Sequence, residues 1–325
     1  MNIFDGHSDI WTDVTIKNLN GENDILRKYH LNKLKEGHIT GGIFVIWIDP
    51  PNTDDPYKRT IQIFNSIRNE IEYCKDSVLL AKSYSDIEKA LNENKFYIFI
   101  GLEGLSSIGE NLEIIDYYYD FGARHASLTW NEENALATGV KGNPHRGLSE
   151  LGKRAVKKIN DKNMLLDVSH LNDKSFWDVI EATDKPVIAS HSNSRELCDN
   201  PRNLTDRQLK AIAMTNGLVG LNSFNEFVHK DIDKQNVKML AKHAVHMADL
   251  VGVDHIGLGM DYLEFLDNSS TNSFSSQETS YTIGLEDASK TCNLIRELEN
   301  EGFSNNEIEK IGHGNFYRVI KDVIK

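Results

Sequence analysis

The sequence predicts an α/β fold, a single-domain (β/α)8 TIM barrel, and three observations carry that expectation. Eight short apolar runs read as buried strands, most segments between them read as helices, and six residues of metal-ligating type sit at the ends of those runs. A doubly wound open sheet is the alternative, and periodicity alone does not separate the two.

The runs are "NIFDG" near 2–6, "GGIFVIWI" near 41–48, "FYIFIGL" near 96–102 and "HASLTW" near 125–130. "MLLDVS" near 164–169, "PVIAS" near 186–190, "LVGLN" near 218–222 and "HIGLGM" near 255–260 complete the series. Most are continuous apolar stretches, the pattern of strands covered on both faces in a parallel sheet. Thr205 with Gln208 forms a capping box opening "DRQLKAIAMTN", which should stop at Gly217, and Ser149 should cap "ELGKRAVKKIN". Ser304 with Glu307 opens the last helix, which Gly312 and Gly314 are expected to break in two. No linker rich in Pro, Gly or Ser divides the chain, so residues 1–325 are read as one barrel domain. The Ser/Asn-rich stretch 266–280 reads as a long loop.

Composition narrows the function. Lys plus Arg number 36 against 49 Asp plus Glu, a net charge of -13, which argues against nucleic acid or an anionic membrane as partner. Three widely spaced cysteines, Cys74, Cys198 and Cys292, argue against a disulfide framework and fit a reducing compartment. The start "MNIFDGHSD" has no leader character and no run approaches a membrane span, so a cytoplasmic location is expected. The patterns Asn203-Leu204-Thr205 and Asn268-Ser269-Ser270 match a glycosylation site and are read as chance.

The strand ends carry the chemistry. His7 and Asp9, two residues apart, should point to one side at the end of the first run; imidazole beside carboxylate is a start to a divalent-metal site. The third run ends on Glu103, the fifth on His170, the sixth on His191 and the eighth on Asp261. In a parallel barrel these ends share the face where barrel active sites are built. Any one of them is more often a packed or solvated residue; six together are hard to credit to chance. His243 and His246 lack that placement and read as core or surface.

With those motifs in place, the chain resembles the membrane (renal-type) dipeptidase family, a branch of the metal-dependent amidohydrolase barrels. The match runs through "DGHSD", "GLEG", "LTWN", "GLSELGKRAVKKIN", "LLDVSH", "PVIASHS", "NPRNLTD", "GLGMD", "GLEDASK" and "GNFYRV". Singly these are weak; in this order they favour the barrel over the open sheet. The resemblance implies a pair of zinc ions, with manganese or cobalt not separated from zinc by ligand type. His7, Asp9 and Glu103 would hold one ion and Glu103, His170 and His191 the other, with Glu103 bridging. The reaction implied is hydrolysis of a dipeptide, Asp261 moving the proton and Arg202 receiving the terminal carboxylate. Where the best-known members have "LTH", with a histidine that helps bind the substrate carbonyl, this chain has Trp130. Phe224 stands where a tyrosine is common, and "YLE" follows Asp261 in place of "FDG". Both Trp130 and Phe224 are therefore expected in an altered substrate pocket. A homodimer is among the expected assemblies. Two rival readings stay open: a di-zinc hydrolase of another small amide or lactone, and a metal-binding barrel without catalysis.

Overall fold

The computed structural model describes residues 1–50, 52–271, 273–275, 277 and 279–324. Among these, nine strands form one parallel sheet: β1 (Ile3–Ser8), β2 (Ile39–Trp47), β3 (Val78–Ala81), β4 (Phe96–Glu103), β5 (Ala123–Ser127), β6 (Leu165–Asp167), β7 (Val187–Ala189), β8 (Leu218–Leu221) and β9 (Ile256–Leu258). Their order is β2-β1-β9-β8-β7-β6-β5-β4-β3, and a further pairing of β2 with β4 closes eight of them into a barrel. The fold is the expected (β/α)8 barrel, not the open sheet.

The strand that sequence reading missed is β3. Its residues pair with Phe96–Phe99, while β5 pairs with Ile100–Leu102 farther along the same strand. Because β2 occupies the other edge of β4 over Tyr97–Glu103, β3 fills the half of the shared edge that β5 leaves open. At four residues, "VLLA" was too short to separate from the end of the preceding helix, Pro56–Cys74.

Alternation along the strands sorts side chains into two cores. Ile43 and Val45 of β2 join Tyr97 and Phe99 of β4 in the barrel interior, while Phe44, Ile46, Ile98, Ile100 and Leu102 face the helices. The same parity aims Trp47 and Glu103 inward at the carboxyl-end rim. In β1, Phe4 faces inward, and that parity would bring Ser8 to the rim. The register between β1 and β2 instead shifts between Asp5 and Ser8, and this irregularity turns His7 towards Glu103.

The capping boxes at Thr205 and Ser304 form as expected, and Ser149 caps Glu150–Asp161 through Gly152 N. Gly312 and Gly314 do fall between two α-helices, as expected, but the chain stays helical across them. The chain passes from helix Asn305–Glu309 through a π-helical turn, Lys310–Gly314, into helix Asn315–Val323. Gly314 keeps helical angles, φ -57 and ψ -40, since glycine permits but does not force a break. The last helix drives Phe316 into the far mouth of the barrel, its ring centroid 4.9 Å from that of Phe4. A Cβ on Gly6 would lie 2.3 Å from the Phe316 ring and one on Gly257 would lie 2.6 Å from it, so both glycines are needed for this plug.

The stretch 266–280 contains a short helix, Asn268–Thr271, and part of it (272, 276 and 278) lies outside the described residues. Asn203 is fully buried and donates to Cys198 O and Phe227 O, so its glycosylation pattern is not accessible. Among the described residues no helix is long and apolar enough to cross a membrane.

Phe316→Ala should cost about 3–5 kcal/mol, the usual loss for a buried phenylalanine. Denaturant unfolding measures it, and a loss under 1 kcal/mol would show that Phe316 does not plug the barrel.

Candidate active site

The six rim residues arrive from five strand ends. His7 lies in β1, and Asp9 caps the amino end of helix Ile10–Leu19 through its backbone carbonyl, which accepts from Thr12 N at 2.8 Å, while its side chain accepts nothing from the helix. Aspartate is a favoured capping residue; here its carboxylate turns instead to His7, with Oδ2 at 3.6 Å from His7 Nε2. Their nearness thus comes from the turn into the helix, not from the strand pleat that the sequence suggested. Glu103 ends β4, and His170, His191 and Asp261 follow β6, β7 and β9. His170 and Asp261 have left-handed backbones, φ 70 and φ 57, a cost accepted where the fold must aim a side chain.

Glu103 Oε1 is the centre of the cluster. It lies 2.8 Å from His170 Nε2, 3.6 Å from His7 Nε2 and 3.6 Å from His191 Nε2. Asp261 Oδ1 is 3.8 Å from His7 Nε2, nearly as close as Asp9. The structure therefore gathers His7, Asp9, Glu103, His170, His191 and Asp261 in one place, all buried or nearly so.

The hydrogen bonds behind the imidazoles decide what the cluster can hold. As placed, the Asn131 amide oxygen is 2.9 Å from His170 Nδ1, and Ser190 Oγ is 2.7 Å from His191 Nδ1. Asn131 accepts there, so His170 carries its proton on Nδ1; Ser190 gives its own proton to Asp167, so His191 does the same. Both Nε2 atoms then present lone pairs, yet they face each other at 2.8 Å beside a carboxylate oxygen. With Glu103 ionised, that is a group of acceptors with no donor among them. On His7 both ring nitrogens, and on Asp9 Oδ1, are buried without a hydrogen-bond partner. Three carboxylates and three imidazoles in this state fit a divalent cation, and the absence of cysteine from the set suits zinc and its neighbours.

Without a cation, the cluster holds on to protons at Glu103 and His7. Burial holds the Glu103 carboxyl well above its ordinary range, with Asp9 and Asp261 adding to the effect. Burial opposes charge on His7, but Glu103, Asp9 and Asp261 outweigh it and lift that imidazole to about 10. Burial depresses His170 and His191 well below the usual imidazole value and raises Asp261.

Beside the cluster opens a cavity of about 240 Å³ lined by Asp9, Glu103, His170, Asp261, Arg202, Trp130 and Phe224, with Trp47, Phe227 and Phe274. Arg202, 6% exposed, comes from the segment between β7 and helix Asp206–Met214. Its Nη1 is 3.5 Å from Ser192 Oγ and its Nη2 3.3 Å from His191 O, while Nε has no partner. Burial lowers this guanidinium to about 10. Trp130 packs on Trp47 at 5.3 Å and stands 6.1 Å from the His170 ring, and Phe224 packs on Phe227 at 4.7 Å. His243 and His246 lie elsewhere: His243 is buried against Ser194 N and Val228 O, and His246 pairs with Asp206.

Sequence reading missed the residues that hold this set in place: Asn131 behind His170, Ser190 behind His191, and Asn222, whose Nδ2 donates to Asp261 Oδ2 at 3.0 Å. Asn131 and Ser190 sat within quoted motifs, "LTWN" and "PVIASHS", but nothing in the order of residues tells which polar neighbour turns inward.

Comparison with known proteins identifies the lineage. The model of the membrane dipeptidase family (peptidase family M19) matches residues 1–325. The chain belongs to that family. It is accordingly a hydrolase of the metallopeptidase type. The Claviceps purpurea protein named dipeptidase tcpJ is 24% identical over 311 residues, 92% of this chain and 70% of its own length. The Aspergillus oryzae dipeptidase aclJ is 27% identical over 339 residues, 98% of this chain and 77% of its own. Among solved structures, a Rhodobacter sphaeroides metallopeptidase liganded with a phosphinate mimic of L-Ala-D-Ala superposes with a TM-score of 0.88. It is 23% identical and 99% of each chain is covered. The structure of "the dipeptidase AC" of family M19 gives a TM-score of 0.87 at 23% identity, covering 100% of this chain and 99% of that one. At that identity the two structures speak for the barrel fold.

The purified protein should bind about two divalent ions per chain. His170→Ala or His191→Ala should remove one of them preferentially, and Glu103→Ala should weaken both. Elemental analysis checks this, and full retention of both ions by Glu103→Ala would remove Glu103 from the bridging position.

Proposed function

We propose that this protein is a dipeptidase that hydrolyses the single amide bond of a dipeptide with two divalent ions, zinc in the first instance. His7, Asp9 and Glu103 would hold one ion and Glu103, His170 and His191 the other. When bound, such a pair polarises the scissile carbonyl and makes a water nucleophilic near neutral pH.

The observation that carries the dipeptide reading is Arg202: a buried guanidinium on the wall of the cavity that holds the carboxylate–imidazole cluster, with Nε unpartnered and Nη1 and Nη2 on long contacts. A planar guanidinium so placed is suited to a substrate carboxylate, which it can grip with two parallel hydrogen bonds. A carboxylate anchored so near the reacting amide must belong to the very next residue, and that limits the substrate to two residues.

Asp261 has the position for the proton. Asn222 holds its Oδ2, leaving Oδ1 beside His7 on the cavity side. Oδ1 would accept the proton of the attacking water and hand it to the departing nitrogen; burial raises this carboxyl, which favours both halves of the exchange. Trp130 and Phe224 would shape the space for the substrate side chains, and Trp130 cannot replace a cationic imidazole at the carbonyl oxygen. This aromatic wall favours a second reading, hydrolysis of another small amide or lactone. A reducing cytoplasmic setting is supported by three free cysteines, two of them buried.

Asp261→Asn should keep both metals and lower kcat by ~10²–10⁴; loss of metal together with activity would make Asp261 a ligand instead. Arg202→Lys should raise KM more than it lowers kcat, because the carboxylate contact exists before and during reaction. Kinetics on a panel of dipeptides, their amidated forms, tripeptides and lactones tests the function. Amidated dipeptides or tripeptides cleaved as fast as free dipeptides would overturn the anchor and favour the second reading.

A further inference from the structure

Beneath the metal-type cluster, inside the barrel, lies a buried polar chain that the proposed reaction does not use. His125 of β5 stands in the interior against Gly101, where an added Cβ would lie 2.6 Å from His125 Nδ1. Its Nε2 is 2.9 Å from Asp167 Oδ2, at the end of β6. The same Oδ2 is 2.5 Å from Ser190 Oγ, and Ser190 Oγ is 2.7 Å from His191 Nδ1. Ser169 Oγ approaches Ser190 Oγ only to 3.5 Å. All four residues of the chain are 0–1% exposed.

The direction of each hydrogen bond follows from Asp167. Its Oδ1 faces two backbone donors, Ser169 N at 2.9 Å and Ser190 N at 3.0 Å. Its Oδ2 faces His125 Nε2 and the Ser190 hydroxyl. Four donors around one carboxyl leave no place for a proton on it. Burial raises this group, but the bonds from His125, Ser190 and Ser169 outweigh that and hold it below the usual carboxylate range. The Ser190 proton must then point to Asp167, the Ser190 oxygen must accept, and His191 must carry its hydrogen on Nδ1.

We infer that Asp167, backed by His125, is a positioning residue that acts through Ser190 to keep His191 in the Nδ1–H form, with Nε2 bare towards the cluster. This rests on the reading of His191 as a metal ligand; the tautomer itself does not depend on that reading. Ligating imidazoles are commonly held this way, by a carboxylate or carbonyl behind the ring. Here the carboxylate reaches the ring through a serine, so the direction of one hydroxyl sets the donor atom offered to the ion.

The direction can be reversed with a near-isosteric change. In Asp167→Asn the amide oxygen must stay with the two backbone N–H donors, so the NH2 group takes the place of Oδ2. It would then donate to Ser190 Oγ, and the Ser190 proton would turn to His191 Nδ1. His191 would carry its hydrogen on Nε2, where it blocks the metal. Ser190→Ala removes the relay without imposing the wrong tautomer, so it should do less harm than Asp167→Asn. A merely structural role for Asp167 predicts no such ordering.

Two readouts test this without reference to turnover. In metal-free protein labelled with 15N-histidine, long-range 1H–15N spectra read each tautomer: His191 should be Nδ1–H in the wild type and Nε2–H in Asp167→Asn. In zinc titrations, Asp167→Asn should bind the ion at the His170/His191 position about 10–100-fold more weakly, with the other position less affected, and Ser190→Ala should fall between. An unchanged His191 tautomer in Asp167→Asn would overturn the inference, and so would wild-type affinity at both positions. If Asp167→Asn does not fold, Ser190→Ala decides: wild-type zinc affinity with a pure Nδ1–H His191 overturns the relay, and weakened binding with mixed tautomers supports it. A wild type that binds no metal but keeps His191 as Nδ1–H would sink the proposed function while leaving this inference standing.

Discussion

Glu103 Oε1, with three imidazole nitrogens 2.8–3.6 Å away, is the contact on which the rim of this barrel depends. Bringing acceptors together in a buried place is unfavourable unless a cation joins them. The chain nevertheless commits three carboxylates and three imidazoles to it and leaves His7 without a hydrogen bond at either nitrogen. Once Asn131 and Ser190 have claimed the Nδ1 hydrogens, neutral His170 and His191 leave their facing Nε2 lone pairs unsatisfied, and burial opposes the extra proton that would join them. The site is therefore built for a charge that side chains alone do not provide.

Holding that cluster costs backbone strain and polar burial, and the barrel supplies the rigidity to bear both. His170 and Asp261 take left-handed angles, each a loss on the order of 1–3 kcal/mol. Around them, buried polar side chains meet one another: Asn131 on His170, Asn222 on Asp261, Asp167 and Ser190 behind His191. Asp5 accepts from Met260 N at 2.8 Å and from His7 N at 3.3 Å, so it ties the first barrel strand to the last at the level where His7 turns inward. Below this polar layer the interior is mainly apolar, its Tyr97 hydroxyl paired with that of Tyr317, and it is closed by Phe316 over Gly6 and Gly257. A stiff hydrophobic floor is what lets the polar ceiling keep its distances.

The Arg202 side of the rim has a different logic. Arg202 sits against the Phe227 ring at 5.3 Å, and Phe224 and Phe274 continue that aromatic surface to Trp47 and Trp130. A buried positive charge is thus set at one extreme of an aromatic wall, with the carboxylate–imidazole cluster beside it. The aromatic wall and the cluster share one cavity but are built from separate residues, and so changes such as Trp130 can alter the pocket while leaving the cluster whole.

Much of this was legible in the sequence because it depends on local order. Buried parallel strands are continuous apolar runs, capping boxes are three residues apart, and residues at successive strand ends must share one rim once the strands are parallel; hence the eight barrel strands, the helix starts and the six rim residues. Tertiary structure alone decided the rest. The four-residue β3 exists because β5 leaves half an edge of β4 open, which no local pattern announces. Gly312 and Gly314 lie in a π-helical turn that joins two α-helices, where local sequence suggested only a break. His7 faces Glu103 only through a shift of register with β2, and Asp9 turns its carboxylate to His7 rather than to the first turn of its helix. Asn131, Asn222 and the chain from His125 to Ser190 are ordinary polar residues in one dimension. Their roles come from which hydrogen atom points where, and that is fixed by neighbours up to 42 residues away in sequence, brought together when the barrel closes.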